Sequence, residues 1–87
     1  MNILETIIKA AQSLHTLIIT YTSEKGEVTQ REVEPYSFRQ TKRGVRLFAY
    51  DVQKNAIRGF YVDNIQSAQI TDRTYSPRWI VEIGNEV

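Results

Sequence analysis

The sequence predicts a mainly β protein: a small barrel of about five strands with one N-terminal α-helix. In the first 14 residues apolar side chains recur at three- and four-residue steps, which is typical of a helix. From Thr16 onward they recur at two-residue steps in short runs separated by Gly, Asn, Asp and Pro. A chain of 87 residues is long enough for a single domain, and a sheet that curls on itself under one helix suits this length.

The N-terminal helix is predicted over residues 1–14. Asn2 and Glu5 stand three residues apart, the spacing of a capping box in which each side chain binds the backbone of the other residue. The apolar stripe of this helix consists of Ile3, Leu4, Ile7, Ile8, Ala11 and Leu14.

The barrel strands are predicted over residues 16–72. The first strand places Leu17, Ile19 and Tyr21 on one face. The second runs over residues 28–39 and contains Pro35, which cannot donate a hydrogen bond to a neighbouring strand. We therefore expect a sheet edge or a β-bulge at this proline.

A hairpin forms the centre of the prediction. Residues 44–51 and 56–62 are rich in aromatic and aliphatic side chains, and the polar loop 52–55 joins them. Residues 63–65 resemble a single helical turn, and residues 66–72 form the last strand. Five or six short strands after one helix suggest a barrel of the Sm/SH3 type.

Residues 73–87 are predicted to form a C-terminal extended segment with two possible roles. It covers the open end of the barrel, or Trp79, Ile80 and Val81 form an exposed strand that pairs with a second copy. From the second possibility we hypothesise a homodimer.

The composition argues against several classes of function. The absence of cysteine excludes disulfides and cysteine-bearing metal sites. His15 has no metal-ligand spacing around it, and no nucleophile motif or phosphate loop occurs. We therefore expect no catalytic residue, no metal, no cofactor and no enzymatic activity. The longest aliphatic run is too short to cross a membrane, so we expect a cytoplasmic protein.

Two arginines are candidates for an anion site. Arg31 and Arg58 share the parity of inward-facing apolar residues, which places both toward the mouth of the barrel. Two guanidinium groups can present forked donors to a phosphate or carboxylate, and Tyr21 could stack on a base or donate its hydroxyl. The alternative is that the arginines pair internally with Glu32, Glu34 or Asp63.

A basic cluster lies on the second hairpin, and no acidic residue interrupts it. Phe48 and Tyr50 share the parity of its last member, so basic and aromatic groups together could bind single-stranded nucleic acid. The alternative is a solvated hairpin tip whose charges discourage edge pairing. The cluster consists of Arg39, Lys42, Arg43 and Arg46.

Several segments resemble the WYL domain, an Sm-like barrel of bacterial regulators, over residues 4–72. An N-terminal helix leads into a strand that ends in Tyr21, similar to the family's helix followed by a strand that ends in Tyr. Residues 29–35 are similar to its Thr-x-Arg-x-Val-x-Pro segment. Residues 45–51 resemble the stretch that begins with Trp-Tyr-Leu, and residues 58–65 its Arg-x-Phe-Arg-Leu-Asp-Arg-Ile segment.

The chain departs from this family pattern at several positions. Val45 and Arg46 replace the Trp and Tyr, and Glu34 stands where many members carry His. Tyr61 and Asn64 replace two arginines. The resemblance implies ligand binding, often of nucleic acid or nucleotides, and regulation of attached domains. No helix-turn-helix precedes the resemblance, so we do not expect a transcription factor of the usual architecture.

We therefore predict a ligand-sensing regulatory module that binds an anionic ligand such as a nucleotide or short single-stranded nucleic acid. The alternative is a structural protein–protein interaction module, a dimerising small barrel without a small-molecule ligand. The predicted ligand-binding residues are Tyr21, Arg31, Arg46 and Arg58, and the predicted nucleic-acid patch is Arg39, Lys42 and Arg43.

Overall fold

One antiparallel sheet of five strands, preceded by a helix, makes up the computed structural model, which describes residues 1–84. The strand order in the sheet is β4-β3-β2-β1-β5. The elements are α1 (Ile3–Ser13), β1 (His15–Thr22), β2 (Val28–Gln40), β3 (Val45–Asp51), β4 (Ala56–Tyr61) and β5 (Ile65–Thr74), with a 3-10 turn at Val62–Asn64. The predicted mainly β class with an N-terminal helix is confirmed.

The helix α1 begins and ends with defined caps. The Asn2 side chain accepts from the Glu5 amide at 2.8 Å, and the Glu5 carboxylate accepts from the Asn2 amide at 3.2 Å, so the expected capping box is present. Leu14 ends the helix in a left-handed conformation with φ of 57°. The buried Ile7 side chain packs on the core of the sheet.

The long strand β2 changes partner near its middle. Its pairing with β1 reaches as far as Val33, opposite Leu17, and its pairing with β3 continues from Val33 to Gln40. The register with β3 shifts between Pro35 and Ser37, which is the bulge that the proline predicted. Pro35 lies beyond the β1 pairing, where its missing N–H costs no hydrogen bond to that strand.

The sheet is strongly curved around its buried face. Tyr21 on β1 and Phe60 on β4 meet edge to face, with ring centroids 5.0 Å apart, although two strands separate β1 from β4 in the sheet. This inner face carries the core residues Leu17, Ile19, Val33, Leu47, Ala49 and Phe60, all fully or almost fully buried.

The segment after β5 folds back onto its own chain. Tyr75, Val81 and Ile83 are buried in the core, and the amides of Glu82 and Ile83 donate to the carbonyl of Tyr36 at 2.8 and 3.1 Å. The described part of this segment therefore packs against the core of its own chain. Residues 85–87 of the predicted extended segment lie outside the described residues. Pairing with a second copy stays a prediction.

Candidate anion-binding surfaces

Three of the predicted ligand-binding residues share the inner face of the sheet. Arg31 on β2 stands opposite the buried Ile19, and Arg58 on β4 stands opposite the buried Ala49. Tyr21 follows Ile19 two residues later on the same face. Side chains two residues apart in a strand point to the same side. Tyr21, Arg31 and Arg58 thus lie on the inner face of the sheet, on three different strands.

The guanidinium group of Arg31 makes part of its contacts within the protein. Its Nη1 lies 3.4 Å from Oδ2 of Asp51, which is fully buried, and its Nε donates to the hydroxyl of Thr29 at 3.2 Å. The other carboxylate oxygen of Asp51 accepts from the amides of Gln53 and Lys54. Asp51 therefore fixes the β3–β4 turn and holds the Arg31 guanidinium from the same carboxylate.

The internal partners expected from the sequence do not include this aspartate. Glu32 contacts Arg73 at 3.3 Å, with only 13% of the Glu32 side chain exposed, and Glu34 binds Arg78. The alternative in which the arginines pair internally with Glu32, Glu34 or Asp63 is therefore wrong for Arg31 in the identity of the acid, which is Asp51. The observed partner is Asp51, which lies across the β2–β3 ladder directly opposite Val33, two residues along β2 from Arg31.

Arg58 differs from Arg31 because its guanidinium group has no hydrogen bond or ion pair among residues 1–84. It is exposed on β4, which is an edge strand of the sheet. Phe60, two residues later on the same face, is covered by the ring of Tyr21. Among residues 1–84 Arg58 is thus a cation without an ion-pair partner, two residues from the ring contact of Phe60 with Tyr21.

Arg46 lies on the opposite, outer face of the sheet. It packs against Gly59, where an added Cβ would collide with its guanidinium, and its Cζ lies 5.3 Å from the ring centre of Phe48 and 5.1 Å from that of Tyr61. Its Nε is buried without a hydrogen-bond partner in the described chain. Arg46 therefore does not join Arg31 and Arg58 in one site.

The predicted nucleic-acid patch is only partly free. Arg39 binds both carboxylate oxygens of Glu82, at 2.9 and 3.1 Å, and these hydrogen bonds lower the pKa of Glu82. Arg43 lies 3.5 Å from the Glu24 carboxylate and 3.9 Å from the centre of the Tyr61 ring. Lys42 is exposed and makes no ion pair within the described chain. The charge of this patch is therefore reduced by two carboxylates.

A polar cluster that the sequence did not predict joins β2 to the C-terminal segment. Arg78 donates to both oxygens of the buried Glu34, at 3.0 and 3.4 Å, and lies 3.8 Å from the centre of the Tyr50 ring. The Tyr36 hydroxyl donates to Glu34 at 2.8 Å, and the Trp79 ring stacks on the Tyr36 ring at 4.2 Å. Burial, followed by the nearby Glu34 carboxylate, raises the pKa of Tyr36 to about 12 despite a hydrogen bond from the Arg78 amide.

This cluster gives little signal in the sequence. Arg78 and Trp79 stand in a segment without regular alternation, so neither the face nor the partner of either side chain follows from periodicity. Glu34 within a predicted strand is the single hint, since a carboxylate buried in a sheet requires a cation or hydrogen-bond donors.

Two further features of residues 1–84 concern membranes and metals. None of their helices is long and apolar enough to cross a membrane. They also contain no group of three or more His, Asp or Glu side chains arranged to hold a metal ion.

Comparison with known proteins gives consistent matches. The family model for the WYL domain matches residues 2–70. The "Uncharacterized HTH-type transcriptional regulator YobV" of Bacillus subtilis (strain 168) is 34% identical over 71 residues, which are 82% of this chain and 23% of that protein. The chain therefore spans about a quarter of the length of this relative.

A solved structure supports the same relationship. The "Proteasome accessory factor B/C (PafBC) of Arthrobacter aurescens" superposes with a TM-score of 0.76 and is 27% identical. The match covers 84% of this chain and 12% of that one. The matched part of PafBC is thus a small part of a much longer chain.

Proposed function

Because this chain belongs to the WYL domain family, we propose that it is a non-enzymatic regulatory module that senses an anionic ligand. A nucleotide or a short single-stranded nucleic acid is the proposed ligand class. The observation that carries this proposal is the guanidinium of Arg58, which has no partner among residues 1–84 and shares the inner face with Arg31 and Tyr21. A free guanidinium at the edge of a sheet is available for an external anion.

The three residues have different roles in this proposal. Arg58 binds a phosphate oxygen pair through its forked donors. Arg31 adds positive charge and the donors that the Asp51 and Thr29 contacts leave free. Tyr21 presents a hydroxyl and the edge of a ring that Phe60 holds in place.

The regulatory part of the proposal comes from the relatives. The similar protein of Bacillus subtilis is named as an HTH-type transcriptional regulator, and the chain matches about a quarter of it. We propose that the module passes ligand occupancy to a regulated partner, and we place it in the cytoplasm, where such regulators work. A small Sm-like barrel is the finer description of its fold in this proposal, because the curved sheet brings β1 and β4 into contact.

The experiment is fluorescence anisotropy of labelled oligothymidylate and oligouridylate decamers with the purified protein at low and physiological ionic strength. We expect binding that weakens as salt rises and that Arg58→Gln reduces by about tenfold or more, which is the worth of a charge-assisted hydrogen bond. Lys54→Gln is the matched control because it removes one exposed positive charge outside the inner face. Equal binding by the wild type and Arg58→Gln would contradict the assignment of the site.

A structural interaction module that dimerises is the second candidate. The observation that favours it is the exposure of Ile80 and Ile57, 79% and 50%, together with the position of β4 at an edge of the sheet that residues 1–84 form. Size-exclusion chromatography with light scattering tests this candidate. A monomer mass at high protein concentration would reject it, and a dimer that Ile80→Glu dissociates would support it.

A further inference from the structure

The C-terminal segment, described over residues 75–84, lies on the bulge of β2 as a bound peptide would. It contains no helix or strand. Tyr36 is the extra residue of the bulge, without a partner in the β3 register, and its carbonyl accepts from the amides of Glu82 and Ile83 at 2.8 and 3.1 Å. The bulge thus offers a carbonyl of the sheet to another stretch of chain, and backbone hydrogen bonds of this kind hold extended peptides on sheets.

A buried carboxylate beside the bulge determines which charged side chain can lie there. Glu34 is 5% exposed, and its two oxygens accept from the Arg78 guanidinium at 3.0 and 3.4 Å. The same guanidinium lies 3.8 Å from the centre of the Tyr50 ring. A buried carboxylate without a cation is costly, and a guanidinium both pairs with it through two donors and stacks on an aromatic ring. This surface therefore selects an arginine.

Two aliphatic side chains complete the contact. Val81 and Ile83 are buried, so they anchor the segment three and five residues after its arginine. The occupant of this surface is thus specified by an arginine, two aliphatic anchors at this spacing and two amides for the bulge carbonyl. We call this surface the bulge groove, and its residues on the sheet are Glu34, Tyr36, Ser37 and Tyr50.

The C-terminal segment leaves space beside the bulge groove unfilled. A cavity of about 320 Å³ lies between this segment and the sheet. Ile57, one of its walls, is 50% exposed, so apolar surface of the sheet remains uncovered there. A bulky apolar side chain at the position of Glu82 would bury this surface, which the carboxylate of Glu82 does not. The cavity is lined by Ser37, Arg39, Phe48, Ile57, Trp79 and Glu82.

We propose that the bulge groove is a docking site for an extended peptide of a partner protein, and that residues 78–83 occupy it in cis when the partner is absent. The partner peptide carries an arginine that binds Glu34, two aliphatic anchors and a bulky apolar side chain that fills the cavity. Arg58 and Tyr21 of the inner face take no part in this site.

The unfilled cavity explains why a partner peptide can replace the C-terminal segment. An exchange of occupants is driven only by a difference in their affinities. A second copy of the chain brings the same segment and makes no new contact, whereas a peptide that fills the cavity does. The Arg78 side chain is 47% exposed, so a competing peptide reaches the groove from solvent.

The test measures binding of a fluorescein-labelled peptide with the sequence of residues 77–84 to the full chain by fluorescence anisotropy. We expect weak binding to the wild type, because the tethered segment competes at a high effective concentration. Arg78→Ala in the protein weakens this internal competitor, and we expect it to bind the probe about tenfold more tightly. Arg73→Ala is the matched control, because it removes an exposed arginine outside the bulge groove and should bind as the wild type does.

Two altered probes test the chemistry of the occupant. A probe that carries Arg78→Ala should bind about tenfold more weakly, because it leaves the Glu34 carboxylate without a cation. A probe that carries Glu82→Phe should bind about tenfold more tightly, because its ring fills the cavity. The pair with Arg39 that this probe gives up is exposed and contributes little.

Arg78→Lys in the protein provides a second variant that keeps the positive charge beside Glu34. A lysine lacks the two-donor fork of the guanidinium, so this variant should bind the probe several-fold more tightly than the wild type does. Thermal unfolding confirms that each variant is folded.

Three results would overturn the proposal. One is equal affinity of the probe for the wild type and for the folded variants of Arg78. Another is equal binding of the probes with and without arginine. The third is a wild-type dimer in light scattering that the probe dissociates, since this result assigns the groove to a second copy. Arg58→Gln should leave probe binding unchanged, which separates this site from the inner-face site.

Discussion

Arg78 in the C-terminal segment donates two hydrogen bonds to the carboxylate of Glu34 in β2, at 3.0 and 3.4 Å. Only 5% of Glu34 is exposed to solvent, and its other described donor is the hydroxyl of Tyr36. The buried carboxylate of Glu34 therefore lies beneath the C-terminal segment, and Arg78 of that segment neutralises its negative charge. The stability of the sheet and the docking of the segment are coupled through this pair.

Loss of this pair should be costly. Arg78→Ala leaves the buried Glu34 carboxylate with a single described donor, so we expect the Tm to fall by about 5–10 °C for a domain of this size. Arg73→Ala is the matched control, because the Arg73 side chain is 71% exposed and Glu32 keeps the Thr16 hydroxyl as a donor, and we expect a much smaller shift. Differential scanning calorimetry measures both. Equal Tm values for the two variants would show that the pair does not secure the segment.

Alkaline pH should unfold the protein through its buried tyrosines. Burial raises the pKa of Tyr36 to about 12 and also raises the pKa of Tyr75. In the unfolded chain both tyrosine hydroxyls lose their protons near pH 10, the ordinary pKa of tyrosine, while in the folded chain they keep them. The stability contribution is therefore complete below pH 10, and the free energy of unfolding falls as the pH rises through the folded-state pKa values.

Urea denaturation at a series of alkaline pH values measures this loss. Tyr75→Phe removes one of the two groups, together with the hydrogen bond of its hydroxyl to the Pro35 carbonyl at 2.8 Å. We expect this variant to start from a lower stability and to lose less of it above pH 10 than the wild type does. The same slope of stability against pH in both proteins would refute the role of Tyr75.

The two inner-face arginines should separate in their effects on stability and on binding. Arg31→Ala removes a partner of the fully buried Asp51, and we expect a loss of about 2 kcal/mol in the free energy of unfolding. Arg58 has no described partner, so Arg58→Ala should leave the stability within about 0.5 kcal/mol of the wild type. Chemical denaturation checks both values. A strongly destabilised Arg58→Ala would point to a structural role for this residue.

The helix cap provides an independent test of the N-terminal element. Asn2→Ala removes the oxygen that accepts from the Glu5 amide, and we expect a loss of about 1 kcal/mol. Asn2→Ser keeps a capping oxygen and should recover most of the stability. If alanine and serine gave the same stability, the capping box would not contribute.

Local rules predicted the elements well. The alternation of Leu17, Ile19 and Tyr21 gave the inner face of β1, and Pro35 marked the position of the bulge. The three-residue spacing of Asn2 and Glu5 gave the helix start. Each of these features depends on residues close together in the chain, and such features follow from backbone periodicity and capping chemistry.

The relations between distant residues could not be predicted in this way. Arg31 contacts Asp51 across the β2–β3 ladder, whose register shifts at the bulge after Pro35. A register shift of one residue moves every side chain of a strand to the other face, so this contact could not be read from the spacing of residues. The alternation along β3 correctly placed Arg46 and Phe48 on one face. It could not show that this is the outer face, opposite to the face that carries Arg58. The sequence also has no periodic signal for the contact of Arg78 with Glu34.

The most direct test of the central claim is a heteronuclear NMR titration of the isotopically labelled protein with an unlabelled oligothymidylate decamer. An inner-face ligand site predicts that the largest amide shifts occur around Tyr21, Arg31 and Arg58, and that Arg58→Gln removes them while Lys54→Gln does not. Unperturbed amides at these three positions, or shifts that persist in folded Arg58→Gln, would contradict the claim.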